Sequence, residues 1–298
     1  MGQPRVGGIF AVALALVAGA AALMSFRATN PQPPPNPPGV RIASITPAGT
    51  TLLVAMGMAD RIVGVSNYDD DREGVSGRLR VGDYQNIDWE KLSECRANIL
   101  LLQYAPDRLP DFIPQRCAQM GIRIVNLKLD TIDEICAAMT QLGDAIGDRA
   151  AGKSAAASLR EKLEAVKMRV KGLPPVKTLV VTSDSSGFAL AGPGEFLDEI
   201  LRIAGGRNAA AALGEPYPQV DREMIVTLKP DVVIRLVPDG DRKPQVVEAG
   251  NQVWQTMADL PAVKNHRVYV ITDWNCEMPG FGVGDLAGKM AGVLHAGK

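Results

Sequence analysis

Short apolar runs alternate with segments of helical periodicity from Val40 onward. Runs such as RIVGVS and NILLL are typical of strands buried on both faces. The segments between them, such as IDWEKLSECRA and TIDEICAAMTQLGDAIG, predict helices. Strands and helices that alternate at this rhythm predict a parallel sheet with crossover helices, so the sequence indicates an α/β fold.

One long helical segment, at about residues 148–171, interrupts the alternation. About 24 residues at ~1.5 Å each would span roughly 36 Å, which is long for a helix inside one α/β layer. The breaker GLPP ends the segment, and strand–helix alternation resumes with KTLVVTS. The pattern predicts two Rossmann-like lobes with central parallel sheets joined by one long backbone helix. One apolar stripe of that helix contains Ala155, Leu159, Leu163, Val166 and Val170.

The N-terminal segment differs in composition from everything that follows it. From Met1 to Phe26 it carries one charge, Arg5, and is typical of a signal peptide or of a single membrane anchor. Cleavage at the Ala-x-Ala pattern Ala18–Ala20 and retention as an uncleaved tether are both open. The predicted organisation is a signal peptide or anchor (1–28), a proline-rich polyproline II spacer (29–39), an N-terminal lobe (40–147), the backbone helix (148–172) and a C-terminal lobe (173–298).

Charge and cysteine content exclude several classes of protein. The 298 residues include 32 basic and 33 acidic ones, and the formal net charge of −1 gives no basic face for a nucleic acid. The four cysteines are irregularly spaced in a large chain, so they do not form a disulfide scaffold. Cys117 and Cys136 fall on apolar helix faces and predict buried thiols. A bridge among Cys95, Cys117 and Cys136 is left open, and Cys276 stands apart.

Nothing in the sequence has the spacing of a catalytic or metal site. The two histidines, His266 and His295, have no neighbouring triad or zinc pattern and predict turn or surface residues. Gly282-x-Gly284-x-x-Ala287 opens a helix, but it lacks the strand and the acidic ribose partner of a dinucleotide fingerprint. The sequence therefore predicts no catalytic residue, no metal ligand and no resident cofactor.

One short frame occurs twice in the chain. It reads Asp-x-Glu, and an Asn or Asp follows eight positions after the Glu, just before an apolar run. The copies begin at Asp88 and Asp221 and place Glu90 and Glu223 in the first turn of a predicted helix. An acid there complements the helix dipole by about 0.3–1 kcal/mol. Dipole complementation does not require matched spacing to the next strand, so the repeat predicts corresponding places in two lobes.

Three stretches resemble a known family. IASITPAGTTLLVAMGMADRIVGVSNYDD is similar to its opening strand, turn and helix, LAGPGEFLDEILRIAGGRNAA to the start of its second lobe, and VDREMIVTLKPDVVI to its Glu-x-[apolar]2-x-Leu-x-Pro-Asp motif. The family is the class of ABC-importer substrate-binding proteins that capture cobalamin, ferric siderophores or haem. Its members have two Rossmann-like lobes joined by a backbone helix, and the resemblance runs from about Val40 to the end.

The resemblance implies a role for the repeated glutamates. In the family, an acidic residue at the tip of each lobe docks on arginines of the membrane permease, and by motif position these residues are Glu90 and Glu223. Two separated salt bridges would fix orientation on a two-fold symmetric partner. The chain also departs from the family pattern. SECRANILLL stands in place of the first-lobe Leu-Lys-Pro-Asp, Thr51 replaces the usual Glu, and no lipoprotein cysteine is present.

Aromatic residues in predicted loops point to a large planar or macrocyclic ligand between the lobes. Loops at the carboxyl ends of the strands line such a cleft, and aromatic rings there provide contact area with little loss of entropy. Arg235 follows an apolar run and is expected at the cleft mouth, where it binds an acidic ligand group or pairs with a neighbouring acid. The predicted ligand-binding residues are Tyr68, Tyr84, Tyr104, Phe188, Tyr217, Arg235 and Trp274.

These features favour an extracytoplasmic capture protein rather than an enzyme. The expected ligand is a cobalt or iron chelate, with a corrinoid such as cobalamin preferred to haem or a ferric siderophore because the lining is aromatic and nearly neutral. The implied partners are an ABC permease and its ATPase, and a monomer is expected. Two alternatives remain, an enzyme or chelate-handling protein on the same scaffold and a membrane-tethered ligand sensor.

Overall fold

The first sheet has five parallel strands in the order β3-β2-β1-β4-β5. We analysed a computed structural model, which describes residues 39–69, 74–105, 107–238 and 243–296. The strands are β1 (Ile42–Ser44), β2 (Ile62–Val65), β3 (Leu79–Arg80), β4 (Ile99–Leu102) and β5 (Arg123–Asn126). The helices are α1 (Pro47–Ala55), α2 (Trp89–Glu94), α3 (Phe112–Gln119) and α4 (Ile132–Ile146).

The second sheet has six strands and is mixed. β11, β10, β6 and β8 are parallel, whereas β7 runs antiparallel to both of its neighbours, β6 and β9. Its strands are β6 (Val176–Ser183), β7 (Phe188–Leu190), β8 (Gly206–Asn208), β9 (Gln219–Val220), β10 (Val232–Leu236) and β11 (Val268–Ile271). After the long helix α5 (Arg149–Arg169), the remaining helices are α6 (Phe196–Ile203), α7 (Arg222–Leu228), α8 (Pro244–Gln255), α9 (Pro261–Lys264) and α10 (Val283–Leu294).

The long helix α5 joins the two sheets through a shared core. The Asp148 side chain caps its start by accepting a hydrogen bond from Ala151 N at 3.0 Å. Leu159 and Leu163 are buried in a cluster that also contains Leu142 of the first lobe and Leu201 of the second. The alternating strands, the two sheets and the long connecting helix confirm the fold class predicted from the sequence, with the antiparallel strand β7 as an addition.

The two lobes also contact each other directly. Phe196 N donates to Asp130 O at 2.8 Å, and Ile132 N donates to Glu199 Oε2 at 2.6 Å, so the start of α4 is tied to α6. At a second place, a Cβ built on Gly280 would lie 2.7 Å from Thr51 Oγ1, so these two residues are closely packed. The segment that follows β11 therefore packs against α1 of the first lobe.

The duplicated frame forms the same structure in both lobes. Asp88 accepts from Lys91 N at 3.0 Å and caps α2, and Asp221 accepts from Met224 N at 2.9 Å and caps α7. Eight positions after each capping Asp, the backbone takes a positive φ, at Arg96 (51°) and at Lys229 (45°). Each helix then leads into a strand, β4 or β10, that pairs with the first strand of its sheet.

The cysteines are all buried as free thiols. Burial was predicted for Cys117 and Cys136, which are 1% and 3% exposed. Desolvation raises the pKa of Cys117 to about 11 and that of Cys276 to about 12. Thiols with pKa values this high are largely protonated at neutral pH and are weak nucleophiles.

The predicted N-terminal signal or anchor and nearly all of the proline-rich spacer lie outside the described residues. Within the described ranges, none of the helices is both long enough and apolar enough to cross a membrane. His295 differs from the prediction of a turn or surface residue: it is only 8% exposed and packs against Gly205, whereas His266 is exposed.

Candidate functional site

Three tyrosines lie together where the strands of the first sheet end. Tyr68 follows β2, Tyr84 follows β3 and Tyr104 follows β4. Tyr68 and Tyr84 are each 57% exposed, and their rings stack with centroids 6.0 Å apart and planes 28° from parallel. The Tyr104 hydroxyl donates to Tyr84 O. We call these three residues the tyrosine platform.

Asp83 holds the tyrosine platform in place. It accepts from Asn67 Nδ2 at 2.9 Å, from Gln85 N at 2.9 Å and from Asn86 N at 3.0 Å. These bonds join the loop after β2 to the loop after β3, so Tyr68 and Tyr84 are carried on two loops fixed to each other. The hydrogen bond from Asn67 and the two backbone N–H groups hold the pKa of Asp83 below its usual value despite burial.

Tyr104 is fixed by a second contact. Its N–H donates to Asn126 Oδ1 and its carbonyl accepts from Asn126 Nδ2, both at 2.8 Å. Desolvation raises the pKa of Tyr104, and the nearby Asp83 charge adds to the increase. The phenol therefore stays protonated at neutral pH and remains a hydrogen-bond donor. Because the platform is held before any ligand arrives, little ordering entropy is lost on binding.

Tyr217 and Trp274 lie on the second lobe. Tyr217 is 58% exposed in the loop before β9, and Trp274 is 38% exposed just after β11. Desolvation raises the pKa of Tyr217 to about 12, and the charges of Glu195 and Asp130 contribute. Asp130 belongs to the first lobe, so Tyr217 is placed beside the junction of the lobes.

Arg235 does not lie at the cleft mouth. It is 1% exposed, and its Nε binds Asp184 Oδ2 at 2.6 Å while Nη1 binds Asn251 Oδ1 at 2.7 Å. Trp254 Nε1 donates to the same Asp184 oxygen at 2.9 Å. The predicted position of Arg235 at the cleft mouth is therefore wrong. The structure instead has the other alternative that the sequence left open, in which Arg235 pairs with a neighbouring acid. A Cβ on Gly250 would lie 1.6 Å from Arg235 Nη2, so glycine makes room for the guanidinium.

Phe188 is likewise placed in the core rather than at the ligand-facing edge. It is 6% exposed, and its ring meets Trp254 edge-on with centroids 5.2 Å apart. The physical reason is that Phe188 begins the antiparallel strand β7, which pairs with both β6 and β9 inside the sheet. The structure therefore brings Tyr68, Tyr84 and Tyr104 together, places Tyr217 and Trp274 on the other lobe, and buries Phe188 and Arg235.

Glu90 and Glu223 are exposed in the first turns of α2 and α7. Neither carboxylate makes a hydrogen bond or an ion pair within the described ranges. Both helices are capped by the preceding Asp instead, so the folded chain leaves the two glutamates available for a partner.

Two other carboxyl groups lie near places where the lobes meet, of which Glu195 is buried and Glu277 is half-buried. Glu195 is 1% exposed and accepts from Leu197 N at 2.9 Å and Asp198 N at 3.0 Å, at the start of α6. Glu277 lies in the segment after β11, and its Oε1 is buried without a hydrogen-bond partner among the described residues. Desolvation raises the pKa of each carboxyl to about 7.

The fold is expected to lose stability as the pH rises from about 4.5 to 7. A raised carboxyl pKa means that the folded chain binds the proton more tightly than the unfolded chain, so the stabilisation is complete below the unfolded pKa. For Glu195 the loss is up to ~3 kcal/mol, at ~1.4 kcal/mol per unit of pKa shift. Urea unfolding at pH 4.5 and pH 8 measures it, and Glu195→Gln should reduce the difference. A free energy of unfolding that rises over this window would contradict the assignment.

Several residues that build the site are missed by sequence reasoning. Asp83 had a signal, because an Asp followed by polar turn residues in GDYQN is typical of an Asx-turn. Asp184 and Trp254 had none, since their hydrogen-bond partners come from distant parts of the chain. The described residues contain no group of three or more His, Cys, Asp or Glu side chains that could hold a metal ion.

Comparison with known proteins gives a consistent answer. The family model described as "Periplasmic binding protein" matches residues 42–273. The vitamin B12-binding protein of Vibrio parahaemolyticus is 25% identical over 241 residues, which cover 80% of this chain and 84% of that protein. The vitamin B12-binding protein of Vibrio cholerae O395 is 26% identical over 239 residues, covering 80% and 83%.

Solved structures share the fold. The periplasmic vitamin B12-binding protein of Vibrio cholerae superposes with a TM-score of 0.71 at 24% identity, over 86% of this chain and 97% of that one. The periplasmic haem-binding protein of Vibrio cholerae gives 0.74 at 18% identity, over 86% and 99%. These relatives are substrate-binding proteins rather than enzymes, and their family acts outside the cytoplasm. Because the family model spans most of the folded chain, the protein belongs to the periplasmic binding protein family.

Proposed function

We propose that the protein captures a corrinoid, a cobalamin-like cobalt chelate, between its two lobes and delivers it to an ABC importer. The observation that carries the proposal is the tyrosine platform, with its two exposed, stacked rings at the carboxyl ends of β2 and β3. Tyr217 and Trp274 offer further aromatic surface on the other lobe. A large, flat, uncharged macrocycle fits such surfaces, and the similarity to vitamin B12-binding proteins supports this ligand class.

The charges near the platform favour a corrinoid over haem or an anionic ferric siderophore. Such anions need arginine or lysine side chains that are free to bind them. Arg80, beside the platform, donates to Ser66 O at 2.9 Å and to Asp69 O. On the second lobe Arg235 is buried against Asp184, and Lys289 binds Asp273. These basic groups are engaged within the protein, and the metal is proposed to arrive as part of the ligand rather than as a resident cofactor.

The importer partners are proposed to be a two-fold symmetric permease and its ATPase, with Glu90 and Glu223 docking on permease arginines. One exposed, unpaired glutamate on each lobe supports this role. A monomeric, extracytoplasmic protein can present both glutamates to one permease at once. Signal cleavage and tethering by the N-terminal segment stay predictions, as do the lobe boundaries at 147/148 and 172/173.

Ligand titration tests this proposal. Fluorescence quenching and calorimetry of the purified protein with cyanocobalamin are expected to give saturable one-to-one binding. Replacing both Tyr68 and Tyr84 by Ala should weaken it by about 30-fold, or roughly 2 kcal/mol of lost ring contact. Met168→Ala, which truncates an exposed apolar residue on the long helix, is the matched control and should leave affinity unchanged.

The same titration with haemin and with a ferric siderophore separates the candidate ligands. Tighter binding of haemin than of cyanocobalamin would show that the ligand is haem rather than a corrinoid. Tighter binding of the ferric siderophore than of cyanocobalamin would show that the ligand is a ferric siderophore. If cyanocobalamin bound the double tyrosine variant as tightly as the unmodified protein, the platform would not be the binding surface.

A further inference from the structure

Large apolar side chains that stay exposed in a folded protein mark an interaction surface when they are grouped rather than scattered. Nine such side chains are exposed among the described residues. Four are the aromatic rings proposed to face the ligand, and Met168 lies alone on the long helix. Capture of a ligand does not account for the other four, which lie on α3, α7 and α8. They are Phe112, Val226, Val246 and Val253.

In the first lobe, the exposed phenyl ring lies near the helix that carries Glu90. Trp89 immediately precedes Glu90 in α2, and Arg116 Cζ of α3 lies 4.8 Å from the centre of the Trp89 ring. Phe112 stands one helical turn before Arg116, so the two side chains share one face of α3. These residues therefore form one surface, which we call the first tip. It consists of Trp89, Glu90, Phe112 and Arg116.

The second lobe repeats this arrangement with aliphatic residues. Arg222 immediately precedes the docking glutamate of α7 and donates to Thr256 O at the end of α8. Val226 follows Arg222 by one turn on α7, and Val253 precedes Thr256 by one turn on α8. Val246 lies two turns before Val253 on the same exposed face. We call this surface the second tip. It consists of Glu223, Val226, Val246 and Val253.

The two tips together indicate the kind of partner that covers them. Their helices have corresponding places in the two lobes, because α3 follows β4 and α8 follows β10. A partner that contacts both tips at once therefore has to offer two similar surfaces, as a two-fold symmetric protein does. Each tip has a glutamate without an ion pair in the described ranges, so each contact surface of the partner has to be basic as well as apolar. A lipid surface with anionic headgroups would instead repel both tips.

We propose that the exposed apolar side chains of the two tips pack against apolar surface of the permease and supply most of the docking affinity, with Phe112 as the main anchor. This rests on the proposed function, in which the glutamates dock on permease arginines, and adds the residues that hold the complex together. Charges at the edge of an interface steer and orient the encounter, whereas buried apolar contact slows release.

The two lobes are expected to dock with unequal strength. Phe112 is 58% exposed, against 44% for Val226 and 37% for Val253, so it has the larger fraction of its surface left to bury. A phenyl ring is also larger than a valine side chain, and apolar burial contributes roughly 25 cal/mol per Å². The first tip therefore forms the stronger contact, although both lobes carry a glutamate at the same place.

Binding to membranes tests the proposal. The purified protein, labelled at its C-terminus and saturated with cyanocobalamin, is titrated with right-side-out membrane vesicles from source cells that lack it. Phe112→Ala should weaken binding about 30-fold, and the double variant Val226→Ala/Val253→Ala about fivefold. Met168→Ala removes an exposed apolar side chain outside the tips and is the matched control, with unchanged binding. All of these variants should bind cyanocobalamin as tightly as the unmodified protein.

Two further measurements identify what covers the tips. Liposomes made from the extracted lipids of the same cells should not bind the protein, and binding equal to that of the vesicles would assign the tips to lipid and overturn the proposal. Sedimentation of the protein alone should give a monomer. A dimer that Phe112→Ala dissociates would assign the first tip to a second copy of the chain and would also overturn it.

The outcomes separate this inference from the proposed function. If charge reversal at Glu90 and Glu223 abolished vesicle binding but Phe112→Ala left it unchanged, the apolar anchor would be wrong and docking through the glutamates would stand. Vesicle binding that withstood both changes would overturn docking at the tips altogether. Failure to bind cyanocobalamin, with the expected losses of vesicle binding still present, would overturn the corrinoid ligand and support the docking surface.

Discussion

Replacement of Asp184 by Ala is expected to destabilise the fold by about 3–5 kcal/mol, because it leaves a guanidinium buried without its counter-charge. Arg235 is 1% exposed and its Nε lies 2.6 Å from Asp184 Oδ2. The substitution also removes the acceptor for Trp254 Nε1. Urea unfolding measures the loss, and a second-lobe probe such as Trp254 fluorescence should report it directly.

The control is an ion pair of similar length on the surface. Lys264 and Asp259 lie 3.1 Å apart with their side chains 60% and 99% exposed, so Asp259→Ala should cost less than about 1 kcal/mol. Arg235→Met also leaves a charge without its partner, but the Asp184 carboxylate keeps the hydrogen bond from Trp254 and is more exposed, at 12%, than the 1% of Arg235, so this variant should cost less than Asp184→Ala. Equal losses in the Asp184 and Asp259 variants would show that the buried network does not stabilise the second lobe.

The architecture could be predicted from the sequence because it depends on local sequence patterns. Continuous apolar runs predict strands covered on both faces, and β4 and β10 are fully buried. The repeated Asp-x-Glu frame predicted capped helices at corresponding places, and both Asp88 and Asp221 accept the expected backbone hydrogen bond. These features depend on neighbours within a few positions, which a linear pattern contains.

The site was predicted only in part, because its geometry depends on pairings across the chain. Arg235 was placed at the end of an apolar run, but it is a member of β10, and its partner Asp184 lies 51 positions away. Phe188 was placed in a loop, whereas the antiparallel strand β7 carries it into the core. Nothing in the local sequence distinguishes a strand inserted between β6 and β9 from the loop expected after a parallel strand.

Site residues were predicted better in the first lobe than in the second, and the reason is again how the strands pair. The tyrosine platform lies in a sheet that is wholly parallel, so loops after β2, β3 and β4 reach one edge, as sequence reasoning assumes. The second sheet contains antiparallel strands, and there the aromatic residues divide between the core and the surface. Predictions of site residues from the ends of strands are therefore most reliable in the lobe whose sheet is wholly parallel.

Reversal of charge at both Glu90 and Glu223, by substitution with Arg, is expected to abolish ligand uptake by cells while ligand binding persists. Both side chains are exposed and unpaired within the described ranges, so their loss removes no hydrogen bond or ion pair from the fold. The helix dipole contributes about 0.3–1 kcal/mol per residue, so the melting temperature should fall only slightly. Two like charges facing permease arginines would replace two attractive contacts by repulsive ones.

The matched control changes the net charge equally at other exposed glutamates. Glu94, at the far end of the same helix as Glu90, and Glu161 on the long helix are both exposed, and substituting both by Arg should preserve uptake. Single reversals are expected to give intermediate uptake, because one lobe can still dock while the other is repelled. If the double Glu90/Glu223 variant transported ligand at the unmodified rate, the duplicated frame would serve the helices alone, and docking would require a surface elsewhere on the lobes.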